Sequence, residues 1–223
     1  REPGHSAARS LLARVYVKDH QPRKAVKVLE DGLATGANDA SYQSVLADTY
    51  AAIGDSTKAM EALERAAALA PNKPELRTRV ALGHLARGET DVALTELRNT
   101  STAQAPNTRS DALLILVLIN EKRFDDATRD ADRMIRERPR DPLTYNLRAS
   151  VAIAQGKFDE AEGLLRKALA LDPKFGPTVM NLANVATKKG DSAGAYKLYQ
   201  EAWAANATNY RALEALTDLD IQA

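Results

Sequence analysis

An alanine recurs every 34 residues along this chain, at Ala25, Ala59, Ala93, Ala127, Ala161 and Ala195, with no insertion or deletion breaking the interval. A period of that length means stacked copies of one supersecondary unit, since a single unit cannot bury both of its apolar sides alone. Three further columns keep the same phase. Five positions before each alanine stand His20, Gly54, Gly88, Lys122, Gly156 and Gly190, and twelve before stand Ala13, Ala47, Ala81, Ile115, Ala149 and Ala183. Four positions after stand Leu29, Leu63, Leu97, Ala131, Leu165 and Tyr199.

Each column has a physical reading. Alanine belongs where two antiparallel helices approach closely and a larger side chain would force them apart. The glycine column lies between two apolar-periodic stretches, where a left-handed residue ends the first helix. Pro71, Pro139 and Pro173 mark where the second helix stops. Asp39, Asn107, Asp141 and Asn209 share one position and suit the N-cap of each next first helix, with Pro74 and Pro142 in the first turn. The pattern predicts first helices near 6–19, 40–53, 74–87, 108–121, 142–155, 176–189 and 210–221. Second helices are predicted near 22–35, 56–69, 90–103, 124–137, 158–171 and 192–205.

These columns resemble the tetratricopeptide repeat family. The fullest match is Tyr145, Ala149, Gly156, Phe158, Ala161, Ala168 and Pro173 within YNLRASVAIAQGKFDEAEGLLRKALALDP. The resemblance implies an all-α, right-handed superhelical solenoid of six 34-residue helix-turn-helix repeats plus one C-terminal helix. Residues 1–5 would be an N-terminal extension and 6–221 the array, with repeats 6–39, 40–73, 74–107, 108–141, 142–175 and 176–209 and a half repeat 210–221. First helices would line a concave face and second helices a convex one. His20 and Lys122 depart from the turn glycine, Ala37, Ala105 and Ala207 from the terminal proline, and Ile115 from a small residue.

Composition removes several functions. With 31 basic and 30 acidic residues the net charge is +1, which favours neither nucleic acid nor an anionic membrane. The longest apolar run, Ala112 to Ile119, is far too short for membrane insertion. Cysteine is absent, which excludes disulfides and thiol nucleophiles. Of the histidines, His5 precedes the first repeat, His20 occupies the turn column, and His84 shares a packing column with Tyr16, Tyr50 and Leu118. None suggests a metal site, a cofactor or a Ser/His/Asp set, so no catalysis is expected. The mixed charge of 121–141 reads as a solvated convex face with helical pairs Asp125/Arg129 and Asp132/Arg136. Trp203 reads as a cover for the edge of the core.

What remains is binding. In the resembled family, ligand contacts come mostly from repeat positions 2, 5, 9, 12 and 13 of the first helices. Carried over here, Leu82, Leu85, Leu116, Ile119, Leu143 and Ile153 form an apolar centre, edged by Arg109, Asn120 and Asn146. Contiguous exposed apolar surface of this kind marks an interaction site, so the expected partner is a protein or peptide. The position-6 column, Leu11, Val45, Arg79, Leu113, Leu147 and Asn181, is no asparagine ladder. The last helix carries Leu213, Leu216, Leu219 and Ile221, more apolar than a solvent-facing cap, so another repeat or domain of the parent protein is expected to cover it, and the end repeats are also candidates for self-association. The stretch LALDPKFGPTVMNLANVATKKGD is similar to bacterial repeat proteins of polysaccharide export and exosortase systems. The expected function is therefore a bacterial interaction scaffold. The alternative is a substrate-presenting or regulatory arm of a larger glycan-processing or export machine. The first residue is arginine, so the sequence reads as a piece of a longer protein, and cytoplasm and bacterial periplasm are equally open.

Overall fold

The turn column decides where the chain reverses. Gly54, Gly88, Gly156 and Gly190 all have φ between +74 and +81°, and His20 and Lys122 adopt the same left-handed region at +58 and +56°. Each therefore closes a helix, glycine at no steric cost and the other two with strain. The computed structural model describes residues 5–34, 38–101, 106–206 and 208–222. Ala37, Ala105 and Ala207 lie outside the described residues, as do the side chains of His5 and Ile221.

Thirteen helices and no strand occur among the described residues, so the fold is all-α. The chain forms two compact units, Arg1–Ser101 and Thr102–Ala223. The first holds α1 (His5–Lys18), α2 (Pro22–Leu33), α3 (Ala40–Ala52), α4 (Ser56–Leu69), α5 (Pro74–Ala86) and α6 (Thr90–Thr100). The second holds α7 (Thr108–Asn120), α8 (Phe124–Glu137), α9 (Pro142–Ala154), α10 (Phe158–Leu171), α11 (Gly176–Lys188), α12 (Ser192–Ala205) and α13 (Tyr210–Gln222). Odd-numbered helices are first helices of the repeat and even-numbered ones second helices. Within each unit a first helix packs on its own second helix and on the pair before it, as α3 does on α4, α2 and α1.

Helix starts follow local chemistry. Asp39 accepts from Tyr42 N at 2.9 Å, Asn107 from Ser110 N at 3.1 Å, Asp141 from Leu143 N at 2.9 Å and Asn209 from Ala212 N at 3.3 Å. Each such cap contributes about 1 kcal/mol. Pro22, Pro74 and Pro142 sit in first turns, where the absent amide proton is no loss.

Both alanine columns are buried, with Ala25, Ala93, Ala127, Ala161 and Ala195 fully so. Ala59 is the exception and is only half-buried, because a cavity opens beside it. Leu29, Leu46 and Tyr42 centre the core of the first unit, and Tyr42 donates to Leu29 O at 2.7 Å. In the second unit Ala149, Ala161 and Leu165 form one cluster, and Ala183, Ala195 and Tyr199 another. Trp203 packs partly buried against the latter.

The charged face of α8 is solvated, but its pairing differs from the predicted register. Arg129 pairs with Asp126 at 2.8 Å, not with Asp125, and Asp132 accepts from Arg148 of α9 at 3.0 Å, not from Arg136. Three-residue spacing suits the shorter Asp side chain, and the half-buried Asp132 faces α9.

Candidate functional site

The first-helix face of the first unit carries a cavity of about 350 Å³ between α3, α4 and α5. Ala47, Ala51, Met60, Leu63 and Ala86 give it apolar walls, with Gly83 beneath. A Cβ on Gly83 would come within 2.5 Å of Met60 Sδ, so the glycine lets methionine fill the space between α4 and α5. Asp48, Arg79 and Arg87 supply charge around it. Ser44 and Asp48 stand one turn apart on α3, and Arg79 of α5 reaches both, donating to Ser44 Oγ at 2.6 Å and pairing with the Asp48 carboxylate.

The second unit repeats that arrangement with uncharged groups. Asn181 of α11 donates from Nδ2 to Asn146 Oδ1 at 3.0 Å and approaches Ser150 Oγ at 3.4 Å, and both acceptors lie on α9. The sequence separations are 35 and 31 in both units. Repeat position 6 of one first helix thus bonds positions 5 and 9 of the first helix before it. The signal was present in the sequence as a polar residue in an otherwise apolar column, at Arg79 and Asn181, each with polar residues at positions 5 and 9 one repeat earlier.

The nine residues expected to form one binding surface divide between the units. Leu82 and Leu85 lie half-buried on α5 of the first. On α7 of the second, Leu116 is 54 % exposed, Ile119 half-buried, and Arg109 and Asn120 exposed. On α9, Leu143 is half-buried and Ile153 packs partly buried against the core of α9 and α10. Asn146 is only 6 % exposed, and its side chain is engaged by Thr178 and Asn181. It is a buried bond within the array and not a rim residue.

Other charged groups pair close to the helix ends. Lys189, following α11, donates to Asp159 at 2.7 Å and Glu162 at 2.8 Å on α10. Hydrogen bonds from Lys189 and then Arg166 hold the Glu162 carboxyl below its ordinary value. His84 Nδ1 lies 2.5 Å from Glu89 Oε2, and its Nε2 lies 3.9 Å from Glu64 of α4. Glu89 reaches His84 across the turn after α5. Among the described residues no set of three or more His, Asp or Glu side chains could hold a metal ion. No helix among them is long and apolar enough to cross a membrane.

A tetratricopeptide repeat family model matches residues 1–49 and 152–219, a second matches 113–174 and a third 40–73. The chain belongs to the tetratricopeptide repeat family. Solved tetratricopeptide structures share its fold. A tetratricopeptide repeat protein from Parabacteroides merdae has a TM-score of 0.61 at 15% identity, covering 96% of this chain and 84% of that one. The type IV pilus biogenesis factor PilW has 0.59 at 17% identity, over 97% of this chain and 98% of its own. Yeast Tom70 has 0.65 at 18% identity, over 89% of this chain but 42% of its own length. No curated protein is a significant match to the chain. A tetratricopeptide fold is that of a protein–protein interaction scaffold, and the arrangement above is one of surfaces and packing.

Proposed function

We propose that this tetratricopeptide chain is a non-catalytic scaffold that binds a protein partner, as an extended peptide or an amphipathic helix, on its first-helix face. The observation that carries this reading is Leu116. A leucine 54 % exposed at the middle of α7, one turn from half-buried Ile119 on the same helix, is an apolar centre that water solvates poorly. Arg109 and Asn120, exposed near the two ends of the same helix, supply polar groups that fix a ligand's orientation. Ile153 borders this centre from α9 in the same reading. In the first unit, Leu82 and Leu85 lie half-buried on α5, and the 350 Å³ cavity between α3, α4 and α5 is large enough to take an apolar side chain.

PilW, a type IV pilus biogenesis factor, and Acl4, an assembly chaperone of RpL4, are similar in fold, which agrees with a scaffold in a larger assembly. No observation favours a glycan-processing or export arm. The test is affinity capture from the native host with the wild-type chain and with Leu116→Asp. Leu116 is exposed enough to change without disturbing the core, whereas Ile119 is not. The reading expects a protein retained by the wild type and lost by the variant at unchanged helicity; equal retention would remove α7 from the site.

A further inference from the structure

The 350 Å³ cavity of the first unit lies where three side chains are short. The same crossing recurs three repeats on, between α9, α10 and α11, where Ile153, Phe158 and Val185 stand in the columns of Ala51, Ser56 and Gly83. There Ile153 and Phe158 pack, partly buried, against a cluster that includes Ala149, Ala161, Leu165 and Val185, and Ala161 is fully buried. In the first unit its counterpart Ala59 is only half-buried, and Ala51 and Ser56 stand exposed at the edge of the cavity. Gly83 is the most specific of the three, because its column otherwise holds Val15, Thr49, Val117, Val151 and Val185. The groups absent from this crossing, an aromatic ring above all, are what would restore close packing there. Met60 beneath it presents a thioether sulfur, a favourable neighbour for a ring edge.

The lining is basic. Arg79 and Arg87 face it against Asp48. Arg79 is taken up by Ser44 and Asp48, which neutralises that end. At the other end Arg87, its side chain 47 % exposed, pairs at 3.1 Å with Glu89. His84 engages the same carboxylate at 2.5 Å, so one acid serves two donors and a further carboxylate beside Arg87 is favoured by charge.

We propose that this cavity receives one aromatic side chain of a protein partner, a phenylalanine flanked by acidic residues, with the ring over Met60 and Gly83 and a neighbouring carboxylate at Arg87. The inference rests on the reading of the chain as a protein-binding scaffold and concerns the first unit alone. The partner's ring takes the place that Phe158 and Ile153 fill in the second unit from within the chain. Burial of the ring supplies the affinity, and the ion pair fixes its orientation.

The experiment is an NMR titration of the full chain with carbon-13-labelled methionine methyl groups. Met60 reports on the cavity, while Met134 and Met180 report on the second unit. The probe is the capped peptide acetyl-Asp-Phe-Asp-amide, with acetyl-Asn-Phe-Asn-amide and acetyl-Asp-Ala-Asp-amide as controls. The probe should shift the Met60 methyl saturably, with a dissociation constant in the millimolar range, as one buried aromatic anchor supplies. The asparagine peptide should bind about threefold more weakly, as loss of an exposed ion pair does, and the alanine peptide should leave Met60 unmoved. Ala51→Ile with Ser56→Phe installs the second unit's own residues and should abolish the shift while the melting temperature holds or rises. Leu116→Asp should leave the titration unchanged, so the cavity and the α7 site can each fail while the other stands. An absent Met60 shift, equal binding of either control peptide, or undiminished binding in the filled variant would overturn the proposal.

Discussion

Arg138 donates from Nη2 to the Asp111 carboxylate at 2.6 Å, joining the residue that follows α8 to the first turn of α7, with side chains 8 and 3% exposed. Arg138 also reaches Asp141 at 3.2 Å, the N-cap of α9. One guanidinium therefore ties three helices of the second unit. A pair this buried is only a modest net stabiliser, but removing Asp111 leaves the buried guanidinium with Asp141 alone. Asp111→Ala should lower stability by about 1–3 kcal/mol in urea unfolding. A loss below about 1 kcal/mol would show the guanidinium regains solvent.

The left-handed turns give a prediction of opposite sign. His20 and Lys122 hold φ of +58 and +56° where their column otherwise has glycine. A side chain there costs about 1–2 kcal/mol, which glycine avoids at some loss of chain entropy. His20→Gly and Lys122→Gly should each raise stability by about 0.5–1 kcal/mol, and Gly156→Ala should lower it. Thermal melts of the three variants check the ordering.

Close packing is tested at Ala161, fully buried where α10 crosses α9. Ala161→Leu should overpack that crossing and cost about 1–3 kcal/mol. An unchanged melting temperature would contradict the packing.

Much of this fold was legible in the sequence, and the reason is local. Asp39, Pro74, Gly156 and Ala161 each act within their own helix, turn or nearest crossing, so the residue type alone reports the geometry. The polar bonds between helices distant in sequence were not legible in that way. Arg138 and Asp111 lie 27 residues apart within one repeat and Asn146 and Asn181 lie 35 apart in successive repeats, so their pairing depends on which columns face each other between packed helices. Asn146 has the sequence character of a groove residue and becomes a buried one because Asn181 and Thr178 stand opposite. For the candidate site, Leu116 could be placed on the first-helix face from its column, but its exposure required the packing of its neighbours.

Alkaline pH probes the core of the first unit. Tyr50, 5 % exposed, has its hydroxyl pushed up from 10 to about 12, first by burial and then by donation to Glu30 at 2.8 Å. A raised folded value means this contribution is intact below the unfolded value near 10 and is lost as pH rises through about 12. The stability advantage of the wild type over Tyr50→Phe should therefore shrink between those two values. A difference independent of pH would show that Tyr50 ionises freely in the folded state.

The central claim is that the first-helix face of α7 binds a protein partner through Leu116. Its most direct test is calorimetric titration of the captured partner into the wild-type chain, Leu116→Asp and the α8 control Arg129→Glu. The account predicts that Leu116→Asp weakens binding by about thirtyfold or more, as loss of a central apolar anchor does, with Arg129→Glu close to wild type. Equal dissociation constants for the wild type and Leu116→Asp would contradict it.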